Sequence, residues 1–382
     1  MTVTVTPVRI GFMPLSDCAP LVMAAVLGFD RRHGLQLQLS RESSWAGLRD
    51  KLLGGALDMA QALYGMVYGV QLGIGGPRES MAVLMTLNRN GQGISLSRRL
   101  TGLGVADLGA LAARLRAAPR SHVFAQTFPT GTHALWLYYA LASAGVHPMR
   151  DIRSVVLPPA QMVEAMRSGQ VDGVSVGAPW NRIGALEGVS VPLLSSAAIW
   201  PDHPDKVLAS RAAWVDAHPD AAIGVVRAVL EACRWLDASE ANRLAAAEIL
   251  AGDAWVAARR DAIAGSLLGS GSEGSTGWHE PLPMGFHADG EVNFPWLSDA
   301  LWFMTQHKRW GLLAEHPEYE AIARRVQRVA LYREAATGIG VPVPEAERRS
   351  SRLIDGLTWD GRDPRAYADS FAIRQPQHIE AV

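Results

Sequence analysis

An α/β fold of two similar lobes, with a ligand cleft between them and a hinge joining them, is predicted by two observations. The first is an internal echo: Met162, Met166, Gly169, Val171 and Asp172 repeat the spacing of Leu48, Leu52, Gly55, Leu57 and Asp58, 114 positions earlier. The second is the pattern inside each copy. Apolar residues four apart give a helix one apolar face, a glycine ends that helix where left-handed backbone is cheapest without a Cβ, and a short apolar strand follows. The strands are expected at Leu57 to Ala60 and at Val171 to Val176. Ligands of open α/β sheets sit outside the carboxyl ends of the strands, so two such units facing each other enclose a cleft. This is the plan of a hinged binding protein.

The other elements follow in order. Val8 to Phe12 reads as a buried first strand, and Ala19 to Phe29 as a helix closed by Arg31, Arg32 and Gly34. Leu35, Leu37 and Leu39 alternate with polar residues as a strand does. A Gly-rich segment, Gly65 to Gly76, precedes an apolar strand at Met81 to Leu87, and Asn88 to Gly93 turns the chain towards a strand at Ile94 to Ser97. The second lobe is expected over 98–205, and the first over 1–97 together with 206–382. Within the second, Val105 to Ala118 reads as a surface helix and Val123 to Ala125 as a strand. A helix then starts at Thr132, with Thr130 or Thr132 able to cap it. Residues 211–265 should be helical, Ser266 to Gly277 a Gly/Ser loop, Leu297 to Trp310 a helix, and the tail from about 340 extended.

Composition narrows the function. With 36 Lys and Arg against 37 Asp and Glu, the chain has no basic excess for nucleic acid. Cys18 and Cys233 are too few for a disulfide framework and match no metal-binding spacing. No stretch approaches the roughly 20 apolar residues of a membrane span. The opening MTVTVTPVRIGFMPLSD lacks a basic start, an apolar core and a cleavage site, so a cytoplasmic location is expected. No zinc-protease motif, no P-loop and no Gly-x-Gly-x-x-Gly after a strand is present, and no enzymatic activity is expected. Asp58 and Asp172 invite pairing as acid and base, but their matched places in the echo make them strand-entry residues, one per lobe.

A ligand held in such a cleft needs convergent polar groups just after strands or at helix starts. Trp45, Gln92, His133 and Lys206 meet that description. Each also has a plainer role open to it: core anchor, solvated turn residue, capping histidine, surface cation. Taken together they are all donors with no carboxylate among them, which points to an anion.

The segments GTHALWLYYALASAGVHP (131–148), VVLPPAQMVEAMRSGQVDGVSVGAPWN (155–181), IWPDHPDKVLASRAAWV (199–215) and NFPWLSDALWFMTQHKRWG (293–311) resemble the nitrate-binding family that includes the solute-binding components of nitrate and bicarbonate importers. The resemblance runs from about residue 7 to about 330 and implies the type II periplasmic-binding-protein fold. It also implies that Trp45, Gln92, His133 and Lys206 hold nitrate or nitrite, with the backbone at Ala209, where the family often has glycine, approaching the ligand. Bicarbonate binders of the family carry an acidic residue near the lysine position and use calcium, so neither metal nor other cofactor is expected. Together with the expected cytoplasmic location, the resemblance implies a nitrate/nitrite sensor that restrains an ANTAR-domain RNA-binding antiterminator. The alternatives are the binding component of a nitrate ABC transporter and, on the same fold, an enzyme of thiamine pyrimidine synthesis.

Overall fold

The structure, a computed structural model, describes residues 5–269 and 283–375. The first sheet contains β1 (Thr6–Phe12), β2 (Leu35–Arg41), β3 (Met59–Leu63), β4 (Met81–Thr86) and, far later in the chain, a strand at Lys206–Arg211. The second contains β5 (Gln92–Ser97), β6 (Val123–Gln126), β7 (Arg153–Val156), β8 (Gly173–Gly177) and β9 (Ser190–Ser195); the late strand of the first sheet is β10. Their orders, β2-β1-β3-β10-β4 and β7-β6-β8-β5-β9, are the same topology. In each lobe three strands run parallel. An antiparallel strand delivered from the crossing chain, β10 or β5, then pairs with a last one.

The echo is reproduced to the residue. Ile10 faces Met59 across β1 and β3, and Phe124 faces Gly173 across β6 and β8, each position displaced by 114. Gly55 and Gly169, at φ of +77° and +75°, end the two repeat helices in the left-handed conformation. Asp58 donates its N–H to Arg9 O (2.8 Å) and accepts the Arg9 N–H (2.9 Å). Asp172 does the same with Val123, at 2.7 and 2.9 Å. The two carboxylates thus splice the entry of a strand to its neighbour, one per lobe, and do no joint chemistry. Burial pushes the Asp58 carboxyl up, but hydrogen bonds from the Arg9 side chain and backbone outweigh it and hold it below its ordinary value. The stabilisation it brings is therefore present above about pH 4 and lost as pH falls through the depressed value. Asp58→Asn is expected to cost about 1–3 kcal/mol in denaturant unfolding at pH 7, to converge with the parent in acid, and to leave ligand affinity unchanged.

Several expectations need correction. The crossing into the second lobe occurs between β4 and β5, at 87–91, rather than after residue 97, because Gln92–Ser97 pairs with β8 and β9. The polar turn at 88–93 is the crossing itself, with Asn90 and Gly91 at positive φ. The return falls between β9 and β10. The Gly-rich segment is mostly helix (Tyr64–Leu72), and the two glycines inside it, Gly65 and Gly69, serve close packing: a Cβ on Gly65 would stand 2.2 Å from Thr130 O of the opposite lobe. Neither Thr130 nor Thr132 caps the helix Thr132–Ser143; Gly131 is its N-cap and no side chain accepts there. Most of the Gly/Ser loop expected at 266–277 lies outside the described residues, while Ser266 is still inside the helix Arg260–Leu268.

The tail after 340 is not simply extended. It forms a two-stranded ribbon, β11 (Ser351–Arg352) with β12 (Thr358–Trp359), and a helix at Pro364–Asp369. Trp359 Nε1 donates to Ser298 O of the helix Leu297–Arg309 at 2.8 Å, and Tyr139 OH of the second lobe donates to Asp355 at 2.7 Å. Trp136, Trp200 and Trp302 pack with centroids 4.8–5.9 Å apart, fastening the second lobe's helix Thr132–Ser143 to the helix Leu297–Arg309. Buried aromatic area of this kind dominates packing energy.

Candidate functional site

The candidate residues meet at the seam between the lobes, where both crossings pass. Trp45 opens the helix Trp45–Leu53, whose N-cap Ser44 accepts the Gly47 N–H at 3.1 Å. Gln92 is the first residue of β5, His133 the second of the helix Thr132–Ser143, and Lys206 the first of β10. Strand ends and helix starts leave backbone N–H groups and side chains facing the cleft, which is why these positions converge. All four side chains are buried, Lys206 and His133 completely.

Two carboxylates join them, contrary to the reading of a donor-only site. Lys206 Nζ donates to Asp205 Oδ1 at 2.6 Å and lies 2.9 Å from Asp17 Oδ2, close enough for an ion pair without hydrogen-bond directionality. Gln92 Nε2 donates to Asp205 Oδ1, and Gln61 Nε2 donates to Asp17 Oδ1. Gln61 Oε1 in turn accepts the Met13 N–H at 2.9 Å, and Asn88 Nδ2 donates to Asp205 Oδ2 at 2.9 Å. The Trp45 ring lies 5.9 Å from Lys206 Nζ, within cation–π range. Burial alone would lower the Lys206 pKa, but Asp17 and Asp205 outweigh it and raise the value, so the ammonium stays charged. Burial, opposed by Lys206 and reinforced by Asp205, pushes the Asp17 carboxyl up to about 7.

His133 is the complement from the other lobe. Burial first, then Lys206 and His203, push its pKa well down, so the ring is neutral. Its Nδ1 is 2.6 Å from Thr127 Oγ1, and a hydroxyl donating there leaves the ring hydrogen on Nε2. Among the described residues Nε2 has no hydrogen-bond partner. A Cβ placed on Gly177, at the end of β8, would stand 3.4 Å from both His133 Nε2 and Asp17 Oδ2. Both atoms therefore flank one point on the seam. Trp45 Nε1 is also unpaired, but so are the indoles of Trp136, Trp200 and Trp302, so the histidine nitrogen carries the argument. Neutral N–H groups around one buried ammonium suit a small anion that only accepts hydrogen bonds.

Ala209 does not reach this cluster. It lies inside the first sheet, opposite Ala60 on one side and Val83 on the other, about 10 Å along β10 from Lys206. Asp17, Gln61, Thr127 and Asp205 were missed. Asp17 follows β1 at a helix start, the same kind of position that marks the others. Among the described residues no group of three or more His, Cys, Asp or Glu is placed to hold a metal ion. The place between the two carboxylates is taken by the ammonium itself.

A profile of the NMT1-like family matches residues 2–251. The chain belongs to the NMT1-like family. It is 34% identical to the nitrate/nitrite binding protein NrtA of Synechocystis sp., over 97% of this chain and 86% of that protein. The crystal structure of the periplasmic nitrate-binding protein NrtA from Synechocystis PCC 6803 superposes with a TM-score of 0.88, at 33% identity over 97% of this chain and 99% of that one. The bicarbonate transport ATP-binding protein CmpC of Synechococcus elongatus is also 34% identical, over 98% of this chain, which spans 56% of its length. These matches establish the two-lobed periplasmic-binding-protein-like fold for this NMT1-like chain, and the relatives named for nitrate are binding proteins. Overall identity does not separate nitrate from bicarbonate relatives, so the choice of anion rests on the cleft.

Proposed function

We propose that this protein binds nitrate or nitrite between its lobes and serves as the solute-binding member of an anion import system. The observation that carries the binding reading is the pairing of a fully buried ammonium, Lys206, with the unpartnered Nε2 of the neutral His133 from the opposite lobe. A singly charged planar anion is matched by one cation and several neutral N–H donors, Trp45 Nε1 and Gln92 Nε2 among them. Both lobes contribute, so binding favours the closed arrangement over any open one. Affinity near the micromolar level, about 8 kcal/mol, is within reach of such a donor set.

The import role is favoured by relatives named for nitrate binding and for transport. The sensor role with an ANTAR-domain partner rests on the reading of the N-terminal stretch alone. Thermal-shift titration with nitrate, nitrite, bicarbonate and sulfate is the test. A melting temperature that rises with nitrate or nitrite, and not with sulfate, is expected, because a ligand that binds only the folded state stabilises it by mass action. Absence of any nitrate or nitrite effect at millimolar ligand removes the reading. Anion-dependent release of a co-purified ANTAR protein would favour the sensor over the importer.

A further inference from the structure

Asp17 is a second titratable group in the cleft that the donor set above leaves without a role. It lies in the short 3-10 turn Ser16–Cys18 after β1, is completely buried, and is held in place by Gln61 through Oδ1. Its Oδ2 faces the Lys206 ammonium at 2.9 Å and shares the Gly177 point with His133 Nε2. The charged and titratable groups facing it are Lys206 of β10, Asp205 just before it, and His133 of the opposite lobe. Cys18 is its neighbour in the same turn, and burial pushes that thiol well above its ordinary value. The helix Ala19–Val26 carries no titratable side chain, β3 presents Gln61, and β8 presents Gly177. Arg260 and Asp261 of the helix Arg260–Leu268, which also packs on the turn, are exposed.

With both carboxylates ionised, the Asp17–Lys206–Asp205 cluster carries one net negative charge in a site from which water is excluded. A monoanion arriving there meets like charge, and the acceptor-only Oδ2 offers it nothing. A proton on Oδ2 removes the repulsion and turns the same atom into a donor. We propose that Asp17 binds the anion as a neutral carboxylic acid, so that each anion enters together with one proton. This rests on the anion-binding reading given above.

The direction of the linkage follows. The carboxyl of the free protein sits at about 7, and the anion holds it protonated beyond that. Affinity is therefore full below about pH 7 and falls as pH rises, towards tenfold per unit. Lys206 stays charged and His133 neutral across this window.

Isothermal titration of nitrate into the intact protein at pH 8, in buffers of different ionisation enthalpy, reads proton uptake directly. Uptake of about 0.9 proton per nitrate is expected at pH 8 from a free value of about 7. Kd should rise close to tenfold from pH 8 to pH 9, and Asp17→Asn should abolish both effects. Nitrate binding with no uptake and a flat Kd between pH 7 and 9 overturns the role of Asp17 while leaving the anion site standing. Uptake that persists in Asp17→Asn overturns it too. No nitrate or nitrite heat at any pH from 5.5 to 9 removes the anion reading and this one with it.

Discussion

Lys206→Ala is expected to abolish nitrate and nitrite binding and to lower stability by about 3–5 kcal/mol. The ammonium is completely buried and is the counter-charge to both Asp205, at 2.6 Å, and Asp17, at 2.9 Å. Its removal leaves two carboxylates facing each other without a cation, and breaking a buried pair from one side costs more than the pair contributes as a whole. The same removal takes away the only positive charge that the cluster offers an anion, so loss of binding and loss of stability have one cause. Thermal-shift titration reads both: a lower melting temperature without ligand, and no rise with nitrate. Asp58→Asn is the control, since it loses stability in the first lobe's strand splice but keeps the nitrate response. A nitrate-dependent rise in Lys206→Ala would move the anion elsewhere on the molecule.

Gly65→Val is expected to weaken nitrate binding about 5- to 150-fold without unfolding either lobe. Gly65 and Gly69 lie one turn apart on the helix Tyr64–Leu72 of the first lobe, against the Thr130 turn of the second. A Cβ on Gly65 would stand 2.2 Å from Thr130 O and 3.2 Å from Leu135 Cδ1, both in the opposite lobe. Thr130 O already accepts from His307 Nε2 at 3.0 Å, and the turn leads directly into His133, so it is not free to retreat. Overpacking of this kind costs about 1–3 kcal/mol, and here the cost falls on the closed arrangement, where the lobes touch. Apparent affinity drops in proportion to the population that can close. Replacing a helix-interior glycine ordinarily stabilises a helix, so the expected effect has the opposite sign to the intrinsic one. Small-angle scattering with saturating nitrate checks it: the variant should stay more extended than the parent. Parent-like affinity and compaction would show that closure does not bring the two lobes together at Gly65.

How far the site could be read from the sequence depended on what kind of signal each residue carried. Trp45, Gln92, His133 and Lys206 stand at strand ends and helix starts, where position alone announces a cleft, and the structure gathers all four. Asp17 stands at an equivalent place after β1, yet as an acceptor it does not belong to the all-donor set that pointed to an anion. Ala209 failed for the converse reason. Its neighbourhood in sequence to Lys206 says nothing about reach, because an extended strand carries it about 10 Å away in three residues. Trp359, Tyr367 and Phe371 could have signalled that the tail packs, since they stand eight and four residues apart, a helical spacing, and carry large apolar area.

The sequence by itself determined the two-lobed α/β plan. The echo at 48–58 and 162–172 is local: helix face, terminating glycine, strand entry and aspartate lie within one short segment, and backbone geometry and hydrogen bonding translate them directly into structure. Tertiary structure alone decided where the chain crosses between lobes, which glycines lie at the seam, and which charges meet inside it. Those outcomes depend on contacts between residues as distant as Asp17 and Lys206, or Gly65 and Thr130. The physical reason is burial. Excluding water forces every charge to find a partner, and the partner is whatever the packing of two lobes brings within about 3 Å, not what stands nearby in the chain.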